Sequence, residues 1–463
     1  MRQTHPFLKL LPCLLLLACF EACGSDEKPE LPLPDADAST PGLSCGSTQR
    51  ACGGQCVVCP NIGVSDVACA EERCTASACR EGFSPCASGC CPDLWDGEGT
   101  ASPVDAELTQ NATAHGPHPS LGVDAQSRPH LVYRYDVQAS ANGVAARGLR
   151  YAIWSGSEWT AETLASLEGA TAGFEAELAL GADGVPHVAF ARPESGGQTS
   201  IVHASRQGQS WQTDVAETAA LLGPQVAIAL SANGVQLAYR DGTPGSNQRA
   251  GLVLATGMGA TWNFEVVGPA ALTDTSVGGS SAIALDPQGT PWVMYEARTL
   301  QGLSLRQSRF TEGSWNAADV DASLTTGTGY LYPSLAIDSA GRPHVAYSDP
   351  AAGDLKYAYW TGSEWKIESI DVQGDTGWGP SLALDAQDRP HIAYLDRSAG
   401  GANNAALRYA YFKGDGWELR TVVPSGAVAV STGAWTALAL DARGRIHLAY
   451  AGANGQVRYL VTR

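Results

Sequence analysis

The stretch that decides the fold is Pro333-Ser-Leu-Ala-Ile-Asp-Ser-Ala-Gly-Arg-Pro-His-Val-Ala-Tyr-Ser-Asp349, followed by LKYAYWTGSEW at 355–365. It returns almost unchanged as PSLALDAQDRPHIAYLD at 380–396 with LRYAYFKGDGW at 407–417. The tryptophan that closes each copy recurs as Trp159, Trp211, Trp262, Trp315, Trp365 and Trp417, at spacings of 52, 51, 53, 50 and 52 residues. A period this steady marks a repeat architecture.

Each copy reads as four short strands. SLALD and HVAY alternate large and small apolar residues, LKYAYW is amphipathic and aromatic, and the fourth strand starts at the Trp. Asp-x-x-Gly-Arg-Pro and Thr-Gly-Ser-Glu supply the turns between them. First strands occur seven times: 120–124, 177–181, 225–229, 282–286, 334–338, 381–385 and 437–441. Seven four-stranded sheets, each too small to bury its own faces, stabilise one another by packing in a ring, so the expected fold is an all-β, seven-bladed β-propeller over residues 101–463.

The chain stops at Arg463, just after the seventh third strand, where a seventh Trp turn would follow. The last blade therefore lacks its outer strand, and residues 101–106 are expected to fill that place and close the ring. The chain then enters from the face bearing the Trp turns, which leaves the opposite face for binding.

The N-terminal quarter differs in kind. Residues 1–23 combine Arg2 and Lys9 with the apolar run LPCLLLLACF, the pattern of an export signal. Acidic, Pro-rich residues 24–44 read as an extended spacer. Ten of the 13 cysteines follow, in residues 45–91: Cys45, Cys52, Cys56, Cys59, Cys69, Cys74, Cys79, Cys86, Cys90 and Cys91. So dense a set behind an export signal reads as a disulfide module, with zinc at Cys56-Val57-Val58-Cys59 as the rival, and 92–100 as a linker.

Leu16-Leu17-Ala18-Cys19 resembles a bacterial lipobox, and Phe20-Glu21-Ala22-Cys23 is a second candidate. Sequence preference favours lipidation of Cys19, whereas Cys23 would leave an even number of cysteines behind it. The resemblance implies a lipoprotein, and with no Asp after either cysteine it implies the outer membrane or cell surface.

The formal net charge of -18 argues against a nucleic-acid partner, which needs a basic face, and favours a neutral or cationic one. His130, His187, His344, His391 and His447 recur at one place in the repeat, as do Asp124, Asp286, Asp338, Asp385 and Asp441. Residues repeated in this way are expected to serve turns and blade contacts, and no metal or other cofactor is expected. The non-repeating residues of the outward loops are the candidates for binding: the aromatic side chains of His118, Phe174, Tyr330, Tyr332, Trp378 and Trp435, with Asp136, Asp349 and Asp396 near the ends of second strands. Aromatic rings beside carboxylates suit sugar rings and their hydroxyls, and equally suit a protein interface.

The repeat resembles those of bacterial seven-bladed propellers with lectin-like or BNR-type repeats, over about residues 101–463. The resemblance implies a carbohydrate-related surface. Sialidase-type propellers carry Ser-x-Asp-x-Gly-x-Thr-Trp boxes, whereas SGSEW (155–159) keeps the Gly and Trp and lacks the Asp and Thr. No arginine triad is recognisable. The function expected is a non-catalytic, surface-anchored binding protein for a glycan or another surface component. A glycan-cleaving enzyme and a protein-interaction scaffold are the alternatives.

Overall fold

The computed structural model describes residues 49–52, 55–58, 64–70, 73–79, 83–86, 89–92, 102–104, 118–139, 143–167, 175–232, 234–242, 251–269, 274–300, 302–324, 329–400, 404–428, 435–453 and 455–462. The chain divides into two compact units, Met1–Pro92 and Asp93–Arg463. In the first, the described strands form three antiparallel hairpins: Gln49–Cys52 with Gln55–Val58, Val64–Ala70 with Arg73–Cys79, and Phe83–Cys86 with Gly89–Pro92. The cysteine side chains, the export signal, the spacer and both lipidation candidates lie outside what is described.

The second unit is a seven-bladed β-propeller. Its seven sheets each have four antiparallel strands, and six of them run through four consecutive segments of chain. The seventh is made of Thr436–Leu440, Ile446–Ala451, Val457–Val461 and, as its outer strand, Ser102–Pro103. Ser102 lies opposite Tyr459 and Pro103 opposite Arg458, and the Val104 amide donates to the Val457 carbonyl at 3.1 Å. The missing seventh outer strand is thus supplied from upstream of the first blade, which covers the edge that Val457–Val461 would otherwise expose.

The core lies between blades. Val132, Leu149 and Tyr151 of blade 1 pack with Val188, Phe190 and Val202 of blade 2, and Leu131, Tyr133 and Val104 pack with Ala449 and Tyr459 where blade 7 meets blade 1. Each fully buried side chain of this size contributes about 1.5–3 kcal/mol. No blade could bury both of its faces alone.

The repeated residues form one inter-blade chain. Arg342 Nε donates to Asp338 Oδ2 at 2.6 Å, Asp338 reaches His344 Nε2 at 3.4 Å, and His344 Nδ1 meets the Tyr357 hydroxyl at 2.5 Å. Trp417 of the next blade then stands edge-on to Tyr357 at 5.1 Å. Blade 1 repeats the arrangement through Arg128, Asp124, His130 and Tyr151 to Trp211. Blade 7 does so through Arg445, Asp441, His447 and Tyr459, ending on Trp159 of blade 1. The indole N–H donates backwards as well, from Trp211 to Glu162 and from Trp417 to Glu368, each at 2.9 Å. Repeated histidine, aspartate and tryptophan therefore hold turn to blade and blade to blade.

Candidate functional site

The axis of the propeller carries a cavity of about 150 Å³, lined by residues from the beginnings of the inner strands of all seven blades. Strand register makes those positions comparable. Opposite His130, His187, Gln236, Trp292, His344, His391 and His447 stand Gly122, Ala179, Ala229, Ala284, Ala336, Ala383 and Ala439. Four residues before each of these, at the rim, come His118, Glu175, Gln225, Ser280, Tyr332, Gly379 and Trp435. Seven equivalent places hold seven different residues. Here the repeat breaks completely, and a ring of identical scaffolds acquires an asymmetric site.

Three of these positions share a left-handed backbone: φ is 41° at His118, 47° at Tyr332 and 54° at Gly379. Glycine adopts that conformation freely, and Gly379 shows that it belongs to the turn. A residue with a Cβ there costs about 1–2 kcal/mol. His118 and Tyr332 sit in it with their rings at the cavity, an arrangement usually found where a side chain is held for function.

The rings gather on one side. Tyr332 and Trp435 meet edge to face with centroids 4.4 Å apart, His118 lies 5.4 Å from Trp435, and Tyr330 lies 5.6 Å from Tyr332. Tyr330 is 44% exposed and carries the Arg298 guanidinium over its face at 4.9 Å.

Two carboxylates occupy the other side. Glu175 and Glu177 are alternate residues at the start of blade 2, and both line the cavity. His118 Nδ1 is 3.5 Å from Glu175 Oε1. In blades 1, 5 and 6 the position equivalent to Glu177 is a serine, whose hydroxyl accepts the amide of the next inner strand: Leu178 to Ser120 at 3.0 Å, Leu382 to Ser334 at 2.9 Å, Leu438 to Ser381 at 3.0 Å. Glu177 takes over that duty at 3.4 Å from the Ile228 amide, and among the described residues it has no ion-pair partner. Partial burial at the cavity wall pushes Glu175 up to about 8, with the repulsion of Glu177 adding to the rise, and desolvation raises Glu177 to about 7 although Glu177 itself stays exposed.

Of the residues singled out from the sequence, His118, Tyr330, Tyr332 and Trp435 come together at the axis. Trp378 is held separately, its indole N–H donating to Asp375 and its ring face covered by Arg397 at 4.2 Å. Asp349 caps its own turn through the amides of Ala351 and Ala352. Asp396 does the same through the Ser398 amide at 2.9 Å and lies 3.6 Å from Arg408. Phe174 and the Asp136 side chain lie outside the described residues. Glu175 and Glu177 escaped the sequence reading, although aligning the seven first strands shows Glu177 standing in a column of Ser and Ala. Among the described residues no three His, Cys, Asp or Glu side chains converge as a metal-binding set.

No protein-family profile matches the chain, and no curated relative aligns with it. Solved structures resemble it in fold at low identity. The BP39L lectin from Burkholderia pseudomallei superposes with a TM-score of 0.50 at 14% identity, covering 74% of this chain and 98% of the lectin. The NanB sialidase from Streptococcus pneumoniae gives 0.42 at 10% identity, covering 78% of this chain and 70% of the sialidase. A polysaccharide lyase, an ulvan lyase, gives 0.48 at 11%, covering 76% of this chain and 93% of the lyase. The chain is thus a seven-bladed, four-stranded propeller similar in fold to a lectin.

Proposed function

We propose that this protein is an exported, lipid-anchored carbohydrate-binding propeller whose recognition site is the axial cavity. The observation that carries the reading is the non-repeating rim, with His118, Tyr332 and Trp435 clustered against Glu175 and Glu177 in a cavity of about 150 Å³. Aromatic faces take the apolar side of a sugar ring, and carboxyl groups take its hydroxyls. The backbone strain at His118 and Tyr332 supports the same assignment, since a scaffold with no ligand would gain stability from glycine there. The fold likeness to the lectin is compatible with it, but the cavity supplies the argument. Lipidation at Cys19 or Cys23 and attachment at the outer membrane or cell surface complete the proposal.

A glycan array of the purified protein tests it, together with Trp435→Ala and Trp378→Ala variants. Binding that is lost in Trp435→Ala and kept in Trp378→Ala is the expected result; no binding by the parent protein would overturn the reading. Mass spectrometry of the mature N-terminus is expected to find the lipid on one of the two cysteines.

One observation favours a glycan-cleaving enzyme as the second reading. Glu175 and Glu177, raised to about 8 and about 7, provide a carboxyl protonated at neutral pH, which a general acid must be. Release of reducing sugar from an array-positive glycan, abolished in Glu175→Gln, would establish it.

A further inference from the structure

We propose that the axial cavity is a subsite for one sugar ring bearing a free, protonated amine, with the ammonium seated at Glu175 and Glu177 and the ring lying against Trp435. This inference rests on the carbohydrate reading above and names the class of sugar.

Size limits the occupant first. A cavity of about 150 Å³ holds one six-membered ring and little more. The wall is then divided by chemistry. Blades 5, 7 and 1 present Tyr332, Trp435 and His118, blades 3 and 4 present Gln225 and Ser280, and blade 2 presents two carboxyl groups.

Charge decides the class. Among the described residues His118 Nδ1 lies 3.5 Å from Glu175 Oε1 and the charge of Arg134 also acts on Glu175, whereas no cation faces Glu177. Glu177 is left with a single long amide contact. Glu177 lines the cavity, is exposed there and has no counter-charge among the described residues, so a ligand ammonium can reach it and pair with it. The ring faces of Trp435 and Tyr332 attract the same cation. An N-acetylated sugar replaces the ammonium with a neutral amide, and an acidic sugar adds repulsion. The net charge of -18 further concentrates cations and repels anions around the molecule.

The serines at the equivalent position supply the informative substitution. Glu177→Ser restores what blades 1, 5 and 6 already carry, so the inter-blade hydrogen bond survives while the charge disappears.

Calorimetry on the full chain would compare a glucosamine tetramer, its N-acetylated counterpart, a neutral glucose tetramer and tetralysine. The expected result is a preference of about tenfold or more for the free-amine sugar, lost in Glu177→Ser and Glu177→Gln while their melting temperatures stay within a few degrees of the parent. Equal binding of all three sugars, unchanged in both variants, would overturn the amine subsite and leave the carbohydrate reading standing. Binding of no sugar would overturn both. Tetralysine binding as tightly as the glucosamine tetramer would overturn the assignment of the occupant as a sugar.

Discussion

The rings of Tyr332 and Trp435 meet edge to face at 4.4 Å although they belong to blades 5 and 7, which are not neighbours. Between them, blade 6 has Gly379, which carries no side chain, at the equivalent position. The aromatic wall of the cavity is therefore shared by two blades that are not neighbours, across a position with no side chain.

Gly379→Leu is expected to separate the rings and abolish glycan binding. Its φ of 54° also makes any L side chain strained, so the variant should lose about 1–2 kcal/mol of stability as well. Gly379→Ala pays the same strain without reaching between the rings. Comparing the two by binding and by denaturant titration separates the site effect from the backbone effect; equal binding by both variants would refute the role of the gap.

The Glu175 and Glu177 carboxyls give the cavity a pH signature. Their folded-state values, about 8 and about 7, lie above the ordinary 4.5, so the protonated forms favour the folded state. That contribution is fully present below pH 4.5 and is lost as pH rises through 7 and 8. Glu175→Gln should thus match the parent's melting temperature near pH 4 and exceed it near pH 9. A variant less stable than the parent at pH 9 would show that the buried charge is compensated after all.

The turn aspartates behave oppositely. Burial disfavours their ionised forms, but the bond from His391, its charge and that of Arg389 outweigh this at Asp385 and hold it down at about 2, and Asp124, Asp338 and Asp441 are lowered in the same way. A depressed folded-state value stabilises above the ordinary 3.8 and ceases to do so as pH falls through 2. Asp385 alone is worth about 2 kcal/mol by that shift. Melting curves between pH 5 and pH 2 should show a steep loss for the parent and a shallower one for Asp385→Asn, which has already lost the interaction at pH 5.

Most of the scaffold was legible in the sequence because it repeats. Asp, His and Trp recur at fixed intervals since every blade solves the same problem, to tie a turn to its own strands and to the next blade. The site was only partly legible, for the converse reason. His118, Tyr332 and Trp435 stood out as aromatics in loops, yet nothing local distinguishes them from Trp378, whose ring is covered by Arg397, or the site carboxylates from Asp349, which caps its own turn. The distinction depends on which residues share the axial rim. It appears when the seven blades are superposed by register, which turns Glu177 from an ordinary strand residue into a lone charge in a column of Ser and Ala.

Ring closure gives the last prediction. Trp159 stands edge-on to Tyr459 at 5.1 Å, the same contact that joins blade 1 to blade 2 through Tyr151 and Trp211. The outer strand of blade 7, however, is only Ser102–Pro103, anchored by the Val104 amide and by the Val104 side chain, which is 3% exposed among Leu131, Tyr133 and Tyr459. Two strand residues give few hydrogen bonds, so among the described residues closure rests on the Val104 plug. Val104→Asp would bury an unpaired charge there and should release the strand before the rest of the ring unfolds. Hydrogen exchange is the discriminating measurement: amides of Val457–Val461 should lose protection in the variant while those of Ser334–Ile337, on the far side of the ring, keep it. Equal loss at both places would mean that the ring opens as one cooperative unit, and no loss at either would mean that closure does not need Val104.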